Sequence, residues 1–203
     1  MALADLSFKL FTDSGLTTAF GGTLEIVHET DLSDNPQDFL LYFGSPETAR
    51  TLQAVSNPGV DNITLTPTFI LPEWVTVIVY ALGDVIEPTT PNGFKYKVTT
   101  AGTSDASEPT WPTSGIGTTV VDGTVVWSLV GAVHPITEIK LATTSGGLPG
   151  ATGGDPLSLG TTVSSGTGSL VEVHIRVTNT ITTPNDNTGH EELALFINNV
   201  QET

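Results

Sequence analysis

From Ser169 to Asn179 the chain alternates, with Val171, Val173, Ile175 and Val177 separated by Glu172, His174 and Arg176. Successive side chains of a strand point to opposite faces, so this spacing puts an apolar row on one face of a sheet and a polar row on the other. Segments of similar character lie at Leu6 to Phe11, Leu24 to His28, Asp38 to Phe43, Ile63 to Leu65, Ile136 to Ala142, Leu157 to Leu159 and Leu193 to Ile197. Clusters of Gly, Pro, Asn and Ser separate them, as turns separate short strands. Abundant Thr fits the same reading, because a β-branched side chain suits a pleated surface. Only Ser45 to Val55 reads as helical, with Pro46 at a first helical position after a Ser cap. Its shortness leaves a single turn or a loop as the alternative. The expected fold is all-β, an immunoglobulin-like antiparallel β-sandwich with a small inserted β module.

Charge narrows the function classes. Six Lys and Arg stand against 22 Asp and Glu in 203 residues, a net charge of −16, and the six bases are scattered. A protein that neutralises phosphates needs clustered bases, so no nucleic-acid partner is expected. Charged residues make up only 14% of the chain, so the acidity reflects scarce bases. A mean hydropathy of +0.12 sets the chain apart from disordered sequences, which combine low hydrophobicity with high charge density. Cysteine is absent, which removes disulfides and thiolate metal sites. The start, MALADLSFKLF, has no basic stretch and carries Asp5, so no secretory signal is expected, and no apolar run is long enough for a membrane span.

The middle of the chain differs from its ends. All three Trp (Trp74, Trp111, Trp127) and two of the three Tyr (Tyr80, Tyr96) fall between positions 74 and 127. Phe94, Tyr96 and Val98 alternate with Lys95 and Lys97, and Val121-Asp122-Gly123-Thr124 has the chemistry of a hairpin turn. Linker-like stretches at Leu71-Pro72-Glu73 and Gly131 to Pro135 flank the window. The expected organisation is a discontinuous sandwich, residues 1–73 and 134–203, carrying an inserted module at 74–133. Thr-Thr-Pro-Asn occurs at Thr89 to Asn92 and again at Thr182 to Asn185, which reads as shared turn chemistry.

Motifs for catalysis are missing. The sequence has no nucleophile elbow, no phosphate loop with its Lys and no His-Glu-x-x-His, and His28, His134, His174 and His190 stand apart. No catalytic residue, metal site or cofactor is therefore expected. His174 reads as an exposed surface histidine. Glu29, Asp31, Asp34 and Asp38, and separately Asp186-Asn187-Thr188-Gly189, gather oxygen ligands, yet neither has the spacing of a calcium loop, and a solvated acidic face is the default. The aromatics carry two readings. Tyr80, Tyr96, Trp111 and Trp127 would form a glycan-stacking face, or they would fill the core of a module too small to bury much else. Trp111, between Pro109 and Pro112, is expected to be the most exposed.

Tyr80-Ala-Leu-Gly-Asp-Val-Ile86, Asn92-Gly-Phe-Lys-Tyr96, Ala101-Gly-Thr103, Glu108-Pro-Thr-Trp-Pro112 and Asp122-Gly-Thr-Val-Val-Trp127 together resemble the small carbohydrate-binding modules of the chitin-binding type. Versions of this pattern are spliced into virion proteins of tailed bacteriophages. In the flanks, Leu6-Ser-Phe-Lys-Leu-Phe-Thr-Asp13, Asp38-Phe-Leu-Leu-Tyr-Phe-Gly-Ser45, Ser56-Asn-Pro-Gly-Val60 and Glu138-Ile-Lys-Leu-Ala142 are similar to immunoglobulin-like surface proteins of tailed-phage particles. The resemblance implies a non-enzymatic virion protein on the outer surface of the particle, a capsid decoration or cement protein. Its implied partners are the major capsid protein or other virion proteins and further copies of itself, with a trimer expected. A strongly acidic chain would be repelled by DNA packed inside a capsid, which agrees with an external position. The alternative is a tail, baseplate or host-recognition protein whose aromatic module binds cell-surface glycans.

Overall fold

The computed structural model describes residues 6–24, 26, 33–181 and 191–203. The first part of the chain forms strands β1 (Lys9–Phe11), β2 (Gln37–Gly44), β3 (Thr51–Ala54) and β4 (Ile63–Phe69). The aromatic window follows with β5 (Val79–Tyr80), β6 (Val85–Ile86), β7 (Phe94–Thr100), β8 (Gly102–Thr103), β9 (Thr119–Asp122) and β10 (Val125–Ala132). The last part supplies β11 (Ile139–Ala142), β12 (Leu157–Gly160), β13 (Thr162–Ser164), β14 (Val171–Val177), β15 (Leu193–Ile197) and β16 (Val200–Glu202). Three short 3-10 turns, Ile136–Glu138, Ser145–Gly150 and Thr167–Ser169, are the helical content among the described residues. The protein is all-β, and no helix among these residues is long and apolar enough to cross a membrane.

Two compact units divide the chain. One comprises Met1–Thr68, Ile136–Asn179 and Leu195–Thr203, the other Phe69–Pro135 and Thr180–Ala194. The first unit is an antiparallel β-sandwich. One layer has the order β1-β2-β14-β11, with the alternating strand β14 at its interior, paired along its whole length with β2 from Val171 opposite Phe43 to Val177 opposite Gln37. Val173, Ile175, Leu41, Phe43 and Leu141 are buried on its inner face.

The other layer is built round a strand interrupted by a loop. Gly160 lies opposite Ile63 and Thr162 opposite Gln53, so two residues along the neighbour correspond to ten along the middle strand. The opposite neighbour repeats the offset: Asn198 bonds to Thr64, and Val200 lies opposite Ala54. β3 and β4 are therefore one strand from which the eight residues 55–62 loop out. Asn57 O closes that loop by accepting from Val60 N and Asp61 N, and Gly59 supplies its positive φ of 77°. The inner faces meet at a cleft of about 380 Å³, with Phe8, Leu10 and Phe43 on one side and Leu52, Leu65, Leu195 and Ile197 on the other.

The helical expectation for Ser45 to Val55 fails. Ser45 caps nothing beyond a tight turn, its Oγ accepting from Glu47 N at 3.2 Å, and Ala49 then takes a left-handed φ of 56° that ends any helical path. β3 follows at once. Ile136 to Ala142, expected as strand throughout, begins as a 3-10 turn and becomes extended only from Ile139. Part of the expected strand Leu24 to His28 lies outside the described residues, as does Thr182 to Asn185.

In the second unit the main sheet has the order β6-β7-β10-β9, with β5 and β8 forming a separate pair. The hairpin expected at Val121 to Thr124 is present, Asp122 pairing with Val125 across Gly123 and Thr124. Gly123 has φ 60°, and a Cβ there would lie 2.4 Å from Thr103 O. The sequence places the module at 74–133, whereas the second unit begins at Phe69 and regains Thr180–Ala194. The returning segment is held by Ile70 N donating to Glu192 O and by an ion pair between Lys95 Nζ and Glu192 Oε2 at 3.0 Å.

Candidate functional site

Strand alternation builds the aromatic cluster. Phe94, Tyr96 and Val98 project from one face of β7, and Trp127 from the same face of its neighbour β10, joined by Tyr80, Trp74 and Trp111 from the connecting segments. The Tyr96 and Trp111 ring centres are 4.4 Å apart and tilted by 36°. Trp127 meets Trp111 at 5.8 Å and 70°, and Tyr80 at 4.7 Å and 72°, both edge to face. Tyr96 and Trp127 are wholly buried, and Tyr80 and Trp74 nearly so. All four residues read as a glycan face, Tyr80, Tyr96, Trp111 and Trp127, thus come together, but as neighbours in a core. They offer no coplanar exposed pair for a sugar to stack on. Trp111 is the most exposed of the four, as expected, yet it is half-buried, with its ring against Tyr96 and its indole N–H donating to Glu108 Oε1 at 2.8 Å.

A buried carboxylate organises this core. Asp122 Oδ2 accepts from Trp74 Nε1 at 2.8 Å and from Trp127 Nε1 at 3.1 Å, while Oδ1 accepts from Asp105 N at 2.8 Å. The phenols are equally occupied. Tyr96 OH donates to Pro112 O and accepts from Asn92 Nδ2, and Tyr80 OH accepts from Val75 N at 2.7 Å. Burial raises the pKa of both phenols, which keeps them neutral donors. Glu108 is pulled both ways. Burial opposes its ionisation most strongly as a single effect, but hydrogen bonds from Thr89 and Trp111 together hold it below the ordinary carboxylate value.

Elsewhere polar groups are paired for structure. A cleft of about 410 Å³ in the second unit is lined by Ile70, Leu71, Val85, Lys97 and the Lys95–Glu192 pair. The pair's remaining carboxylate oxygen accepts from His134 N at 3.0 Å. In the sandwich, Ser7 Oγ donates to Glu202 Oε1 and contacts Ser45 Oγ, each at 2.6 Å. That chain of hydroxyls and carboxylate ties residue 7 to the last strand. His174 is half-buried instead of exposed, its Nε2 3.0 Å from Glu172 Oε2. Of the acidic loop residues, Asp38 receives both Arg176 Nε and Nη2 at 2.7 Å, and Asp34 accepts from Gln37 Nε2. Glu29, Asp31, Asp186 to Gly189, His28 and His190 lie outside the described residues. Among those described, no three His, Asp or Glu gather where a metal ion would be held.

One surface feature has no counterpart in the sequence reading. From Val75 to Leu82 only Tyr80 is buried, and Val75, Val77, Ile78, Val79 and Leu82 are exposed. A run this apolar looks like a core strand in one dimension. It is instead a loop that holds only the two-residue strand β5, anchored by Trp74 and Tyr80, with its aliphatic side chains outside.

The fold and these contacts define an all-β protein of two units. No family model, curated protein or solved structure matches the chain.

Proposed function

We propose that the protein is a non-enzymatic structural component of a tailed-phage particle, a decoration protein that sits on the outer face of the capsid and bridges its subunits, acting as an oligomer. The observation that carries this reading against its glycan-binding alternative is the fate of the aromatics: the rings that would stack on a sugar are packed against each other edge to face. Support comes also from the net charge of −16, which suits an outer surface better than one facing packed DNA. The sandwich agrees with the resemblance of the flanking segments to phage surface proteins. A decoration protein binds only the assembled lattice, so its binding free energy stabilises the shell by mass action, with no need for a catalytic residue.

The test is to add purified protein to shells that lack it. Saturable binding at many copies per particle, with a rise in shell unfolding temperature, is expected. Absence of both, or a count of only a few copies per virion, would overturn the proposal.

A further inference from the structure

The loop Val75 to Leu82 exposes Val77 at 67%, Val79 at 76% and Leu82 at 70%, with Val75 and Ile78 close to half exposed. Looseness does not account for this. Val75 N donates to Tyr80 OH, Ser104 Oγ donates to Val75 O and accepts from Ile78 N, Ser104 N donates to Ile78 O, and Val77 N and Thr76 Oγ1 both donate to Asp105 O. Asp105 is in turn fixed by the hydrogen bond its backbone N–H donates to Asp122 Oδ1. The backbone is pinned while the aliphatic side chains face outward.

Val77 adds a second sign. Its φ is 52°, in the left-handed region that a β-branched residue rarely enters. Glycine would hold the same turn without strain. A strained valine displayed to solvent in a rigid loop has the properties of a binding knob, since a preorganised apolar group loses little entropy on docking.

Charge selects the partner. Glu73, Asp84 and Asp105, all exposed, flank or anchor the loop, and the second unit holds nine Asp and Glu against Lys95 and Lys97, the first of these buried against Glu192. A second copy would bring like charge against like charge. We infer that the 75–82 loop is the docking knob for a different protein, one that offers an apolar recess rimmed by Lys and Arg. The knob stands whether or not the assembly it serves is a capsid.

The experiment uses the full chain and a fluorescein-labelled peptide of repeating Leu-Lys dipeptides, with Leu-Glu and Ser-Lys peptides as controls. Wild-type protein is expected to bind Leu-Lys, more tightly at low salt, and to bind each control at least tenfold more weakly. Val77→Gly and Val79→Ser should each weaken Leu-Lys binding at least tenfold. Val121→Ser, equally exposed but outside the loop, should not. Val77→Gly should also unfold no earlier than wild type, because it relieves the strained φ, so loss of binding cannot be loss of fold. Val79→Ser provides the same readout at an unstrained position. Equal binding of Ser-Lys would show charge alone at work and overturn the inference. So would unchanged binding by both loop variants, tighter binding to neutral phosphatidylcholine vesicles that the same variants abolish, or a wild-type dimer in sedimentation that Val77→Gly dissolves.

Discussion

Replacing Asp122 tests the account of the aromatic core most directly. The carboxylate is 2% exposed and is the acceptor for two indole N–H groups and one amide. In Asp122→Ala all three donors lose their partner. Asp105 is itself exposed, so its amide can recruit water, whereas the Trp74 and Trp127 indoles lie inside the packed cluster. Each buried donor left unsatisfied costs about 1–3 kcal/mol, so the two indoles put Asp122→Ala at about 2–6 kcal/mol of destabilisation. Asp122→Asn keeps the volume and one acceptor oxygen but turns an N–H₂ toward a donor, so it should cost less, about 1–3 kcal/mol. The assay is built into the chain. All three Trp belong to the second unit, so urea unfolding followed by tryptophan fluorescence reports that unit alone. A fluorescence-detected stability for Asp122→Ala within about 1 kcal/mol of wild type, or an Asn variant weaker than the Ala variant, would refute the role given to the carboxylate.

Other perturbations have outcomes of definite sign. Glu87 is buried, and desolvation, helped by the charge of Glu73, raises its pKa above the ordinary value. Its folded form therefore holds a proton more tightly than its unfolded form, and stability falls as pH rises from the ordinary carboxylate value through the raised one. Glu87→Gln should accordingly melt higher than wild type at pH 7, with the difference shrinking to nothing in acid, as thermal scans at several pH values would measure. Glu192→Ala leaves the Lys95 ammonium buried without its carboxylate and should cost about 3–5 kcal/mol in urea unfolding, whereas the Lys95→Met/Glu192→Met pair should be far less damaging. At Gly102 a Cβ would lie 2.4 Å from the Thr124 carbonyl, so Gly102→Ala should shift the fluorescence-detected transition strongly downward, while alanine at Gly146, which meets nothing within 4 Å, should leave circular-dichroism melting almost unchanged. Arg176→Ala removes a solvent-screened ion pair across β2 and β14 and should leave melting in the same scans nearly unchanged.

Strands with a two-sided environment were the legible part of this fold. β14 and β2 each bury one face, so their side chains alternate, and period two in sequence locates them to within a residue or two. β15 was equally visible as an apolar run. The strands that escaped notice, β3, β5, β6, β8, β13 and β16, have two to four residues each. A segment that short carries too little period to read, and its place is set by neighbours far away in the chain. The interruption of the middle strand is a fact of register, and register lives in pairings that one sequence does not display. The return of Thr180–Ala194 to the second unit is hidden for the same reason. Glu192 joins the second unit because its carboxylate meets a lysine 97 positions earlier, and neither residue is unusual in its own surroundings.

The aromatic window shows why composition located a module but did not settle its use. A unit of this size buries little surface, and a few large rings supply most of what it has. The same rings in the same order serve a core or a sugar platform, and the difference lies in their mutual angle and exposure. Here the polar partners favour the core. Asp122 draws two indole N–H groups inward, and Pro112 O takes the Tyr96 hydroxyl, so the hydrogen-bonding tips that would orient a ligand are satisfied within the protein. With Tyr80, Tyr96 and Trp127 in the interior, the exposed large apolar side chains of the second unit are aliphatic, and five of them fall between Val75 and Leu82, in a segment pinned by Tyr80, Ser104 and Asp105. Its anchor Asp105 rests on Asp122, so the carboxylate that closes the core also sets the position of the loop. Asp122→Asn should therefore weaken Leu-Lys peptide binding while the protein remains folded, and unchanged affinity in that variant would separate the loop's rigidity from the core beneath it.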